Sequence, residues 1–320
     1  MPIKLVSENE TGSRFRQLQA SPARKMTPLG LLHSSGKVLG TDPALAMFCD
    51  NEAEAQRIEA LLGRELDAVV AFTDHTNEDI TVNTFPFTDQ WPGERKLILS
   101  HCLSVDGWDM DEAADGTHDE EYQEAVDNLV PYRDRIFSLR IGWEMNANGG
   151  FPWAIGGDGT NQSAANYVAA FARFAEMVRI AMPEVLIDWC PLWDQPDPST
   201  WYPGDAFVDI IGNDVYLKNE FWTDQFYDVL YNAPWDLSTQ EAFAQARGKM
   251  MAVAEFGSDF NTGTWVQNMI RWMRRPRACR VAYHGYWNSA QSFDSSFETY
   301  PVNEAAFVLE CNELTDNRPR

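Results

Sequence analysis

Arg140-Ile141-Gly142-Trp143-Glu144-Met145-Asn146 decides how this chain reads. It closes a run of β-formers that starts at Arg135, and it ends in an acid with Trp143 before it and an amide two residues after it. A second run, 250–254, ends the same way in Glu255-Phe256-Gly257. Each carboxylate sits at the C-terminal tip of a hydrophobic strand. Two such tips in one sheet would face each other across a cleft.

Working outward from that stretch, eight short runs rich in β-branched, aliphatic or aromatic residues read as strands: 28–34, 67–73, 96–101, 136–142, 186–191, 208–213, 250–255 and 281–287. Several are continuously apolar, as parallel strands covered by helices require. Helical patterns fall between them at 52–62, 119–129, 163–182, 239–247 and 264–274, with a last one at 303–309. Thr239 and Thr264 are expected to cap the helices they begin. The connection 192–207, with Pro196, Pro198 and Pro203, has room for one short turn only. Strands alternating with helices predict an α/β fold, a (β/α)8 TIM barrel. Residues 1–25 read as an N-terminal arm and 26–320 as a single barrel domain.

The chain has 320 residues, 44% of them hydrophobic, and a net charge of −23. So acidic a surface argues against nucleic acid and anionic membranes as partners. Twelve Trp residues favour a ligand with apolar faces. The five cysteines have no CxxC spacing, so neither a zinc site nor a disulfide framework is expected. No apolar run approaches a membrane span, and the first residues lack the apolar core of a signal peptide. Location stays open: cytoplasmic or phage-borne as written, secreted if a presequence was trimmed.

Barrel sites gather at the C-terminal ends of strands. There the runs end in His33, Asp74 with His75, His101, Glu144 with Asn146, Trp193 with Asp194, Asp214 with Tyr216, Glu255, and Trp287 with Asn288. Glu144 reads as a general acid/base, walled by Trp143, Phe151 and Trp153, and Glu255 as a nucleophile that needs donors such as Arg140 and Tyr216. A structural ion pair is the competing reading of either glutamate alone. Substrate contacts are expected from Arg140, Trp143, Asn146, Trp153, Trp193, Asp214, Tyr216, Trp287, His101 and His33, with a buried, satisfied imidazole as the equal competing reading of the two histidines. No metal and no cofactor is expected. The acids Asp106, Asp109, Asp111, Glu112 and Asp115 read as a solvated loop rather than a calcium site.

These residues resemble glycoside hydrolase family 26, best known for β-mannanases, over roughly residues 90–290. The resemblance is carried by Arg140 to Trp153, by Trp201-Tyr202-Pro203-Gly204-Asp205 with Asp209 to Tyr216, by Ala254-Glu255-Phe256-Gly257, and by Tyr286-Trp287-Asn288. It implies a retaining (β/α)8 glycosidase acting on an oligo- or polysaccharide; a monomer is expected. Glu144 would be the acid/base on strand four and Glu255 the nucleophile on strand seven. Tyr216 would touch the nucleophile, and Trp287 would form a platform under the sugar. The chain departs from the family where a His before the acid/base becomes Trp143 and a Gly becomes Ala147. These changes admit a β-linked glycan other than mannan. Two other functions compete: a non-catalytic carbohydrate-binding barrel, which would lack one of the glutamates, and a metal-dependent hydrolase built on His33, His75, His101 and Asp214.

Overall fold

The computed structural model describes residues 42–81, 86–147, 150–155, 163–223 and 225–316. The expected arm 1–25, the expected strand 28–34 and His33 lie outside the described residues.

The described strands form one sheet in which every pairing is parallel. They are β1 (Ala44–Cys49), β2 (Ala68–Phe72), β3 (Leu97–His101), β4 (Ile136–Ile141), β5 (Leu186–Trp189), β6 in two segments (Ile210–Ile211 and Asp214–Leu217), β7 (Met250–Ser258) and β8 (Val281–Asn288). β1 pairs with both β2 and β8, and both segments of β6 pair with β7, so the sheet closes on itself. This is the (β/α)8 barrel that the alternation of strands and helices predicts.

The first strand of the described barrel is Ala44–Cys49, a segment not expected to be a strand from the sequence. Its sequence, ALAMFC, is built mostly of strong helix formers. Burial between β2 and β8 overrides that preference, since a strand covered on both faces is selected for packing rather than propensity. β6 breaks at Gly212-Asn213. A Cβ on Gly212 would lie 2.6 Å from Asp188 Oδ1 and 2.8 Å from Cys190 Sγ, so only glycine lets β5 and β6 approach there.

The helices are α1 (Glu52–Leu62), α2 (Pro86–Gln90), α3 (Met110–Asp115), α4 (Asp119–Leu129), α5 (Ala164–Ala181), α6 (Phe226–Tyr231), α7 (Leu237–Arg247), α8 (Thr264–Arg274) and α9 (Pro301–Asp316). Ser163 caps α5 by accepting from the Asn166 N–H. Two expected caps are corrected. Asp236 caps α7, accepting from the Thr239 N–H, because the helix starts two residues before Thr239. α8 follows Gly263 and has no side-chain cap. Only a 3-10 turn, Ser199–Trp201, bridges β5 to β6. The five acids of the 106–115 stretch are exposed, on and just before α3. No helix of the described residues is long and apolar enough to cross a membrane.

Every residue of β3, β4, β7 and β8 is buried. Aliphatic side chains on one face pack under the helices. Four polar residues of the barrel strands, Ser100, Arg140, Asp188 and Asp214, are buried as well. Such groups are affordable only where they find partners, and the partners converge at the upper end of β4, β6 and β7.

Candidate active site

Arg140 organises that end. Side chains alternate along a strand, and Arg140 on β4 pairs in register with Ser100 on β3 and Asp188 on β5. Its guanidinium is fully buried. Nη1 donates to Ser100 Oγ at 3.0 Å and to Glu255 Oε1 at 2.5 Å. Nη2 donates to Asp214 Oδ2 and lies 3.5 Å from Cys190 Sγ. Asp214 and Glu255 are themselves register partners on β6 and β7. Tyr216, two positions beyond Asp214 on the same face, donates its hydroxyl to Glu255 Oε2. Each oxygen of Glu255 thus accepts a hydrogen bond, one of them from a cation, which fixes the orientation of the carboxylate.

Glu144 reaches the same place by a turn. Gly142 and Glu144 have φ of 51° and 49°, both left-handed. A non-glycine residue there costs on the order of 1–3 kcal/mol and persists only when its surroundings enforce it. Here the Glu144 N–H donates to the Cys190 carbonyl at 2.7 Å and the Tyr167 hydroxyl to the Gly142 carbonyl at 3.1 Å. The turn swings the Glu144 carboxyl over the end of the barrel. One oxygen from each of Glu144, Asp214 and Glu255 lies within 4.8 Å of the others.

That crowding sets the protonation. The Glu144 carboxyl is pushed up to about 8, first by burial, although one edge faces solvent, and next by the Glu255 charge; Arg140 opposes the rise. Burial also pushes Asp214 well above the usual carboxylate range, against Arg140, with the Glu255 charge adding to the rise. Three carboxylates so close could ligate a divalent cation. The Arg140 guanidinium already lies against two of them and supplies the positive charge.

The other half of the cleft is aromatic. Trp287 on β8 stacks on Phe48 of β1, with centroids 4.0 Å apart and planes 7° apart. Phe72 at the tip of β2 sets its edge against both Trp143 and Trp287, at 5.3 and 5.9 Å. Trp143 packs on Phe151 at 5.0 Å and Trp153 at 4.8 Å. The arrangement brings an acid, a hydrogen-bonded carboxylate and packed aromatic rings together at one end of the barrel.

Arg140, Glu144, Asp214, Tyr216 and Glu255 are thus brought together, with Trp143 and Trp287 alongside. Four of the residues expected to touch substrate are placed otherwise. His101 turns away from the barrel axis: its ring lies 4.9 Å from Phe174, Nδ1 is 2.7 Å from the Cys102 carbonyl, and burial lowers its pKa to about 4. Strand alternation explains this, because its neighbour Ser100 is the one that points at Arg140. Asn146 spends its amide on the Leu192 N–H and on the Leu192 and Pro196 carbonyls, bracing two loops. Trp153 is fully buried and donates Nε1 to the Trp143 carbonyl at 2.8 Å. Trp193 is fully buried against Trp222, 4.7 Å away.

Sequence reasoning missed Ser100, Phe48 and Phe72, and the contact of Cys190 with Arg140. It also missed Asp188, whose carboxyl burial pushes up to about 7 and which accepts from the Tyr283 hydroxyl below Arg140. The signal for Ser100 and Asp188 was available in the alternation, since each lies level with Arg140 on a neighbouring strand.

Residues 138–272 match the model of glycosyl hydrolase family 26, a span that holds Arg140, Glu144, Asp214, Tyr216 and Glu255. A search of curated proteins returns no match. Among solved structures, the catalytic domain of a GH26 endo-β-1,4-mannanase from Bacillus sp. JAMB-750 is 16% identical, with a TM-score of 0.56 over 86% of each chain. A GH26 β-mannanase from Bacteroides ovatus is 15% identical, with a TM-score of 0.55 over 84% of this chain and 88% of that one. An exo-β-1,4-mannosidase from Opitutaceae bacterium strain TAV5 is 13% identical, with a TM-score of 0.56 over 89% of this chain and 61% of that one. At these identities the likeness is one of fold, shared by endo- and exo-acting enzymes alike.

Proposed function

We propose that this glycosidase, whose residues 138–272 carry the match to glycosyl hydrolase family 26, cleaves a β-linked glycan with retention of configuration by double displacement. Glu255 attacks the anomeric carbon and forms a glycosyl ester. Glu144 gives its proton to the departing oxygen. Water then attacks the ester with the Glu144 carboxylate as base, which releases the sugar, restores Glu255 and returns the proton to Glu144.

The observation that carries this reading is the spacing of the two glutamates, whose nearest oxygens lie within 4.8 Å. Retaining enzymes hold their carboxyl groups about 5–5.5 Å apart, whereas inverting ones leave about 6.5–9.5 Å for a water. The electrostatics agree with the roles. Glu144 is protonated at neutral pH partly because Glu255 is charged. Esterifying Glu255 removes that charge and lets Glu144 lose its proton, as the second step needs. Arg140 and Tyr216 hold the Glu255 carboxylate in place for attack.

The substrate is taken to be a neutral oligo- or polysaccharide. The endo-β-1,4-mannanases that share the fold make β-mannan the first to try, and Trp143, Phe72 and Trp287 offer surfaces for apolar sugar faces. The test is a panel of soluble β-glycans and aryl β-glycosides with two variants. Glu255→Ala is expected to be inactive on all of them. Glu144→Ala keeps turnover on aryl glycosides with good leaving groups and is partly rescued by azide. Activity in Glu255→Ala alongside a dead Glu144→Ala on activated substrates reverses the roles.

A further inference from the structure

Among the described residues, three aromatic side chains are largely exposed, and all three fall in one connection of the chain. Of 12 Trp, 10 Tyr and 18 Phe, the largely exposed rings among the described residues are Phe221 at 66%, Tyr227 at 61% and Tyr231 at 53%. They fall in the connection that follows β6, the strand whose Tyr216 bonds Glu255.

The connection is tied to the cleft. The Phe221 and Trp222 N–H groups both donate to the Lys218 carbonyl, two residues beyond Tyr216, at 3.1 and 2.9 Å. Trp222 packs on Trp193, whose N–H donates to the Asp214 carbonyl at 3.1 Å. α6 is held from below: Val229 is buried, and Phe226 and Leu230 pack on the core. Tyr227 and Tyr231, one turn apart, face outward with ring centroids 5.0 Å apart.

A helix of this length could turn polar residues to water at no cost in packing. Grouped exposed rings instead mark a binding surface. A sugar ring suits them, because its C–H face stacks on an aromatic face while its hydroxyls stay hydrated. The charge of the chain points the same way. At −23, a second copy is repelled, and an uncharged chain of sugars is not.

We propose that Phe221, Tyr227 and Tyr231 form a shelf that binds a neutral β-linked glycan chain outside the catalytic cleft, holding the polymer while the cleft cuts it. The proposal rests on the hydrolase reading above, and its substrate is therefore polymeric.

The test compares the wild type with the Phe221→Ala, Tyr227→Ala, Tyr231→Ala triple variant, whose replaced rings are exposed and contribute little to folding. In native electrophoresis through gels containing soluble β-1,4-mannan or β-1,4-glucan, at least one polymer should retard the wild type and not the variant. On the polymer it hydrolyses, the variant should lose about fivefold or more in kcat/KM, carried by KM, while an aryl β-glycoside is turned over as before. Equal retardation with equal polymer kinetics overturns the shelf. So does an equal loss on both substrates, which would locate the damage in the cleft. A wild-type dimer in sedimentation velocity that the variant breaks would give the surface to a second copy. If the wild type hydrolyses no glycan yet its retardation depends on these rings, the shelf stands and the hydrolase reading falls.

Discussion

Arg140 and Glu255 are 115 residues apart in sequence and 2.5 Å apart in the barrel, guanidinium nitrogen to carboxylate oxygen, with the guanidinium fully buried. That contact joins β4 to β7 across the barrel end. Through the other nitrogen it also restrains Asp214. One cation therefore holds two of the three clustered acids, and its removal should disturb both chemistry and fold.

Arg140→Met should cost about 3–5 kcal/mol of stability, the usual result of breaking a buried pair and leaving its carboxylates alone. Denaturant unfolding checks this. Asp214, already raised by burial and held down chiefly by Arg140, would titrate higher still, so the variant should lose more stability than the wild type as pH rises through neutrality. Wild-type stability in Arg140→Met would mean that the pair contributes nothing.

The pH profile follows from Glu144. Its carboxyl, raised to about 8, must be protonated to act as an acid, so kcat/KM should fall as pH rises through about 8. The same shift makes stability fall between the unfolded value near 4.5 and about 8, because the folded state binds more protons in that window. Glu255→Gln removes the second cause of the shift and should lower the Glu144 titration seen by carbon NMR of labelled glutamate. An unmoved titration would show that the two carboxyls do not interact.

Tyr216→Phe deletes the donor to Glu255 Oε2 and leaves the ring in place. A hydrogen bond to a charged group contributes about 1.5–3 kcal/mol, so kcat/KM should fall about 10- to 100-fold with little change in melting temperature. A loss within twofold would remove Tyr216 from the mechanism.

Trp287 has one face against Phe48 and is only 7% exposed, so a sugar stacked on it would have to meet the other face. Trp287→Phe should keep an aromatic stack on Phe48 and most of the stability, yet weaken oligosaccharide binding about tenfold as stacking area is lost. Unchanged affinity with a lower melting temperature would assign the indole to the core.

The barrel was legible from 67 onward because its parallel strands are buried on both sides and several of them read as mostly apolar runs between helical patterns. β1 was not, since Ala44–Cys49 carries helix-forming residues that only the neighbouring strands recruit. The pair of glutamates stood out because each ends such a run. The end of a run does not say which face its last residue occupies: His101 packs on Phe174, and Ser100, one residue earlier, is the one that meets Arg140. Trp153 and Trp193 misled because a Trp near a strand tip can as well be packed beneath the loops, where both are found. The left-handed backbone of Glu144 had no sequence signal, as it depends on the Cys190 carbonyl arriving from β5.

The central claim is double displacement by Glu255 with Glu144 as acid/base, and the most direct measurement is the anomeric configuration of the first product. Proton NMR of a β-glycan or aryl β-glycoside in the first minutes of hydrolysis should show the β-anomer of the released reducing end, with the α-anomer growing only as mutarotation proceeds. An α-anomer formed first would mean inversion, and would contradict the account.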